Sequence, residues 1–75
     1  MTLDELKPKE KAVVTGIGGR GPVRRRLIDM GITPGANVMI KKTAPFGDPL
    51  EVNIRGYSLS IRKSEAAQVT VERVE

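Results

Sequence analysis

The chain has 75 residues with no cysteine, histidine or tryptophan, and its 13 basic against 9 acidic residues give a net charge of +4. That length holds a single domain, residues 1–75, with a small core. The missing residue types exclude disulfides, thiolate or imidazole metal sites and the usual general base and thiolate nucleophile, so enzyme chemistry is not expected and the excess charge points to an acidic partner.

Thr2-Leu3-Asp4-Glu5 has the spacing of a capping box and predicts a short helical turn, which Pro8 limits. Two acids and a proline in the first ten residues do not fit a signal peptide, and no apolar run nears the roughly 20 residues that span a bilayer. A cytoplasmic protein that is not embedded in a membrane is expected. Residues 11–17 are rich in β-branched side chains, and the alternation of Val13, Thr15 and Ile17 predicts a first strand. Glycines 16, 18, 19 and 21 then mark a loop. Pro22 suits the first position of a helix and Gly31 the residue after its end. Between them Val23, Leu27 and Met30 recur on one face, with Arg24 and Arg25 off it.

Pro34-Gly35 predicts a turn before a second strand over residues 37–44, in which Val38 and Ile40 point one way and Met39 and Lys41 the other. Pro45-Phe46-Gly47-Asp48-Pro49 predicts a loop. Leu50, Val52 and Ile54 alternate with polar residues, Gly56 turns the chain, and Tyr57, Leu59 and Ile61 alternate again, which predicts a hairpin. Ser64-Glu65-Ala66-Ala67-Gln68 reads as one helical turn capped by Ser64. Val69 and Val71 begin a closing strand. About five short strands, one inserted helix and one or two helical turns, all with short connections, favour a mostly β, small antiparallel barrel.

Gly16-x-Gly18-x-x-Gly21 matches a dinucleotide fingerprint in letters only. The βαβ unit and the acid about 20 residues on that this chemistry needs are missing, and Pro22-Val23 stands where a P-loop has Lys and Ser or Thr. The glycines are read as the turn from strand into helix, with a weak anion site at the helix start as the lesser alternative. Asp48 and Glu51 lack the dense oxygen pattern of a calcium loop. No cofactor, metal or small-molecule substrate is expected.

Three segments in order, Arg26-Leu27-x-x-Met30-Gly31-Ile32-x-Pro34-Gly35, Ala44-Pro45-Phe46-Gly47-Asp48-Pro49-Leu50 and Arg55-Gly56-Tyr57, followed by Leu59-x-Ile61-Arg62-x-x-Glu65-Ala66, resemble the FeoA family. The resemblance implies an SH3-like barrel and a bacterial, cytoplasmic accessory of ferrous iron uptake, acting by protein–protein docking to the FeoB permease, which carries a cytoplasmic GTPase domain. Regulation of that GTPase or of transport, with an arginine acting as a finger, is the variant reading. Lys9 departs from the pattern, since many members carry glycine after Pro8.

Leu27 and Met30 are expected to face the core and Arg26 to bond a nearby carboxylate or carbonyl. The partner-binding candidates are Arg24, Arg25, Met30, Lys41, Phe46 and Arg55. Phe46, a large apolar residue in a proline-glycine loop, is expected either to fold back as a plug or to anchor a partner. A proline-peptide groove is disfavoured, because Phe46 and Tyr57 alone cannot line one. The alternative function is a basic β-barrel that binds nucleic acid through Arg24, Arg25, Lys41, Lys42 and Arg55. The lack of stacking aromatics counts against it.

Overall fold

The computed structural model describes residues 1–43 and 45–74. Five strands form one antiparallel sheet: β1 (Lys11–Ile17), β2 (Asn37–Thr43), β3 (Leu50–Ile54), β4 (Tyr57–Ile61) and β5 (Val69–Val74), in the order β4-β3-β2-β1-β5. Two helices interrupt them, α1 (Pro22–Asp29) between β1 and β2 and α2 (Lys63–Ala66) between β4 and β5. No helix among the described residues is long and apolar enough to cross a membrane. Ala44, the expected last residue of the second strand, lies outside the described residues.

The period of two places the core. Leu50, Val52 and Ile54 on β3 face inward beside Val38 and Ile40 on β2, while Leu3, Leu27, Ile32, Ile61, Val69 and Val71 close over them. β1 corrects the expected alternation, for its buried residues are Ala12 and Val14 and not Val13 and Thr15. A bulge between Val14 and Gly16 inserts Thr15 as an extra residue against β5 and resets the phase, so that Ile17 packs against the core after all. Both faces of β1 carry β-branched residues, which is why composition did not reveal the phase.

Helix α1 starts at Pro22, whose missing N–H costs nothing in the first turn. It stops at Gly31, which takes a φ of 94°. There the Gly31 N–H donates to Ile28 O at 3.0 Å and the Ile32 N–H to Leu27 O at 3.1 Å, the paired bonds of a glycine-ended helix, with the buried Ile32 and Leu27 as its apolar contact. The turn at the other end of the chain differs from expectation. Helix α2 is capped from Arg62, whose N–H donates to Glu65 Oε1 at 3.0 Å, and Ser64 lies inside the helix. Glu65 reaches back three residues, and that spacing selects Arg62 as the cap.

The β3–β4 hairpin turns through Arg55 and Gly56, both left-handed with φ of 51° and 87°. Two such residues make the mirror-image turn whose twist matches that of the strands, and the pairing runs without a break from Ile54 opposite Tyr57 to Leu50 opposite Ile61. At the far side of the sheet the N-terminal segment adds cover. Thr2 bridges to Thr70 and the Val71 N–H donates to Met1 O at 2.9 Å.

Candidate partner-docking surface

Helix α1 turns Leu27 into the core and leaves Arg24 and Arg25 exposed, together with Val23. Arg26 is committed elsewhere: its Nη1 lies 3.0 Å from Glu65 Oε2, an ion pair that ties α1 to α2. The carboxylate is nearly buried, with 7% of its side chain exposed, whereas Arg26 keeps 57%. The expected bond to a carboxylate is therefore present. The carboxylate is Glu65, whose place three residues after Arg62 in the segment Arg62-x-x-Glu65 is the sequence signal for it.

Met30 caps the end of α1 and packs against the core without being fully buried. Its carbonyl accepts from the Tyr57 hydroxyl at 3.1 Å, and Arg55 Nη2 donates to Thr33 Oγ1 at 3.1 Å. Met30, Arg55 and Tyr57 thus meet where α1 ends and β4 begins. Gly31 is needed there twice over, since its φ is left-handed and an added Cβ would lie 3.1 Å from the Tyr57 hydroxyl.

Strand β2 contains a second bulge. Ile40 opposes Val52 and Lys42 opposes Glu51, so Lys41 is the extra residue and both lysines stand on the outer face. Lys41 Nζ lies 3.9 Å and Lys42 Nζ 3.7 Å from the two oxygens of Glu51, and Lys41 Nζ also donates to Ser58 Oγ at 3.0 Å. One carboxylate answers two ammonium groups, which leaves this patch positive. The sequence pattern placed Lys41 outward correctly. It did not reveal Lys42 beside it, because a bulge has no signature in periodicity.

Phe46 decides between its two expected roles. It is 98% exposed, so it is no plug. Its loop leans on α2 through Asp48, whose Oδ1 accepts from the Lys63 N–H at 2.9 Å. Among the described residues no hydrogen bond or ion pair joins Phe46 or the pair Arg24 and Arg25 to the other candidates. Of the six candidates, Met30 and Arg55 lie at the junction of α1 with β4, Lys41 bonds Ser58 on β4, and Arg24, Arg25 and Phe46 are joined to none of the others by the described bonds.

A family model for the FeoA domain matches residues 1–73. The chain belongs to the FeoA family. A FeoA-like protein from Clostridium acetobutylicum, solved by NMR, superposes with a TM-score of 0.93 at 45% identity, covering 100% of this chain and 87% of that one. The FeoA of Stenotrophomonas maltophilia, crystallised with zinc and described as a prokaryotic SH3 domain protein, superposes with a TM-score of 0.86 at 33% identity over 96% of this chain and 89% of its own. The FeoA domain here is accordingly a mostly β, SH3-like barrel, as expected. A third relative, the Fe(2+) transport protein A/Fe(2+) transporter FeoB fusion protein of Porphyromonas gingivalis, is 35% identical over 74 residues. That match takes in 99% of this chain and 9% of the relative's length, and it links the FeoA family to ferrous iron transport.

Proposed function

We propose that this FeoA domain is a non-enzymatic accessory of bacterial ferrous iron uptake that docks, on the cytoplasmic side, to the FeoB permease. The observation that carries this reading is the fusion, in one relative, of a domain 35% identical to this chain with a FeoB transporter. Two activities joined in one polypeptide are held at a high effective concentration, and separate chains that serve the same assembly must replace that linkage with a binding surface. The exposed residues supply the parts of one. Phe46 offers a large apolar side chain with no fold contact to lose, and burying such a side chain against a partner contributes roughly 1.5–3 kcal/mol. Arg24 and Arg25 on α1 and Lys41 on β2 supply positive charge elsewhere on the surface for steering toward an acidic face.

The test is binding of this protein to the separately prepared cytoplasmic region of FeoB, with and without guanine nucleotide. Phe46→Ala is expected to weaken binding by about tenfold or more, while its unfolding midpoint stays that of the parent, because the side chain touches solvent only. Equal affinity of the two proteins would remove Phe46 from the interface. A rise in GTP hydrolysis that Arg24→Ala abolishes would make the interaction regulatory through an arginine supplied in trans. Absence of binding in every nucleotide state, with retention on nucleic acid at physiological salt, would overturn the docking reading in favour of the basic-barrel alternative.

A further inference from the structure

The two edges of the sheet are treated differently. Edge strand β5 carries Glu72 and Arg73, of which Arg73 pairs with Glu10 at 3.0 Å, and its first half is covered by Met1 and Thr2. Edge strand β4 has none of the usual protection. Its sequence Tyr-Ser-Leu-Ser-Ile holds no charge and no proline, its register with β3 is unbroken, and it has no second strand neighbour among the described residues. A flat, uncharged edge is a template for another strand.

The turn type fixes which groups this edge offers. In a hairpin closed by two residues, the pair flanking the turn, Ile54 and Tyr57, exchanges both backbone bonds, and so does every second pair, Val52 with Leu59 and Leu50 with Ile61. The N–H and C=O groups of Ser58 and Ser60 therefore point away from β3. Both residues are exposed, and neither outward backbone group has a hydrogen-bond partner among the described residues. Cations surround the strip: Lys41 bonds the Ser58 hydroxyl, Arg55 precedes the strand, and Arg62 and Lys63 follow it. The nearby acids are Glu51, shared by two lysines, and Asp48, which accepts from the Lys63 N–H.

We infer that the outer edge of β4 is a docking strip that takes an extended, acidic segment of a partner protein as a sixth strand, through the backbone of Ser58 and Ser60. Charge selects this occupant over a second copy. Antiparallel pairing of two β4 edges would bring the cations that flank the strand, Arg55 before it and Arg62 and Lys63 after it, beside those of the second copy, and each copy carries a net charge of +4, so like charges oppose self-pairing. An acidic strand meets cations at both ends and beside its centre, Arg55, Lys41, Arg62 and Lys63, with which its carboxylates can pair. The inference deepens the docking reading, and rests on it only for the identity of the partner.

Backbone amide exchange on the isotope-labelled chain tests it, with three additions made separately: a short peptide alternating glutamate and valine, its lysine and valine counterpart, and the cytoplasmic region of FeoB. The Ser58 and Ser60 amides should exchange fast in the free protein and become protected by the acidic peptide, not by the basic one, with affinity that falls as salt rises. Ser60→Pro removes an outward donor without touching the β3 ladder, and should keep the parent spectrum while weakening peptide binding by about tenfold. Should that variant misfold, chemical synthesis with an N-methyl group on Ser60 removes the same donor. Protection of Ser58 and Ser60 in the free protein, or full peptide affinity after loss of the Ser60 donor, overturns the proposal, as does a bound acidic peptide that protects other amides instead. Peptide capture at β4 together with no FeoB binding would uphold the strip and sink the permease as its partner. FeoB binding with β4 left unprotected would do the reverse.

Discussion

Lys9 adopts a φ of 72°, a conformation that brings an L side chain against its own carbonyl and costs roughly 1–2 kcal/mol. The backbone holds it there because the Lys9 N–H donates to Ile40 O at 2.6 Å, fastening the first turn to β2. Lys9→Gly relieves the clash at some cost in unfolded-chain entropy, and should raise stability by about 1 kcal/mol in urea unfolding. The resemblance had already marked Lys9 as a departure from the expected glycine. Glu5 is the other informative single residue. Its carboxylate accepts from the Thr2 N–H at 2.8 Å and from the Thr2 hydroxyl, shared with Asp4 Oδ1, at 2.9 Å, and these two bonds, the amide first, hold its pKa below the ordinary glutamate range. A lowered pKa means that the bonds favour the fold at neutral pH and that this contribution disappears as pH falls through the lowered value. Thr2→Ala removes one of the two bonds, so the carboxyl resonance of Glu5 should titrate at a higher pH than in the parent, yet still below free glutamate. The capping-box spacing made this pair legible from four letters, whereas the exposure of Phe46 was not legible at all. A loop with two prolines and a glycine fits a plug and an anchor equally well, and only the path of the chain separates them.

Between elements, the clasp of α1 on α2 is a single ion pair with unequal partners. Glu65 is held in low exposure by two interactions, Arg26 at 3.0 Å and the Arg62 N–H at 3.0 Å, so the two halves can be separated experimentally. Arg26→Ala leaves the cap intact and should cost about 1 kcal/mol, because the guanidinium is largely solvated. Glu65→Ala loses cap and pair together and should cost about 2 kcal/mol. Equal losses in thermal or urea unfolding would mean that the cap contributes nothing. Most of the elements were legible because each has a physical punctuation mark: Pro22 and Gly31 around α1, Pro34-Gly35 before β2, Gly56 in the hairpin. What sequence reading missed has separate causes. The inward phase of β1 was hidden because both of its faces carry β-branched residues, whereas the placing of Lys42 beside Lys41 follows from a bulge, which adds a residue with no opposite number on the partner strand and so leaves no pattern in hydrophobicity.

At the scale of the whole molecule, the buried residues described form one cluster, and a small domain with one core is expected to unfold in a single step. Tyr57 sits at the junction of β4 with the end of α1, through its hydroxyl on Met30 O, and it is the only tyrosine. With no tryptophan in the chain, its fluorescence reports that junction alone. The fluorescence transition in urea should coincide with the loss of far-ultraviolet circular dichroism. An earlier fluorescence transition would show that α1 detaches from a surviving sheet.

The two bulges also decide how the sheet curls. Each lets one strand run long against its neighbour, and a strip of five strands creased in β1 and again in β2 bends by its own geometry. Curvature made inside the strands is curvature that the connections need not enforce. The segment between β2 and β3, which carries Phe46, is thereby released from shaping the barrel. Apart from Asp48, which holds the Lys63 N–H of α2, its letters can drift, lengthen or be exchanged with those of another family member while the barrel stays as it is, so a chimera that transplants the loop and keeps Asp48 should carry partner preference with it and leave the melting temperature behind.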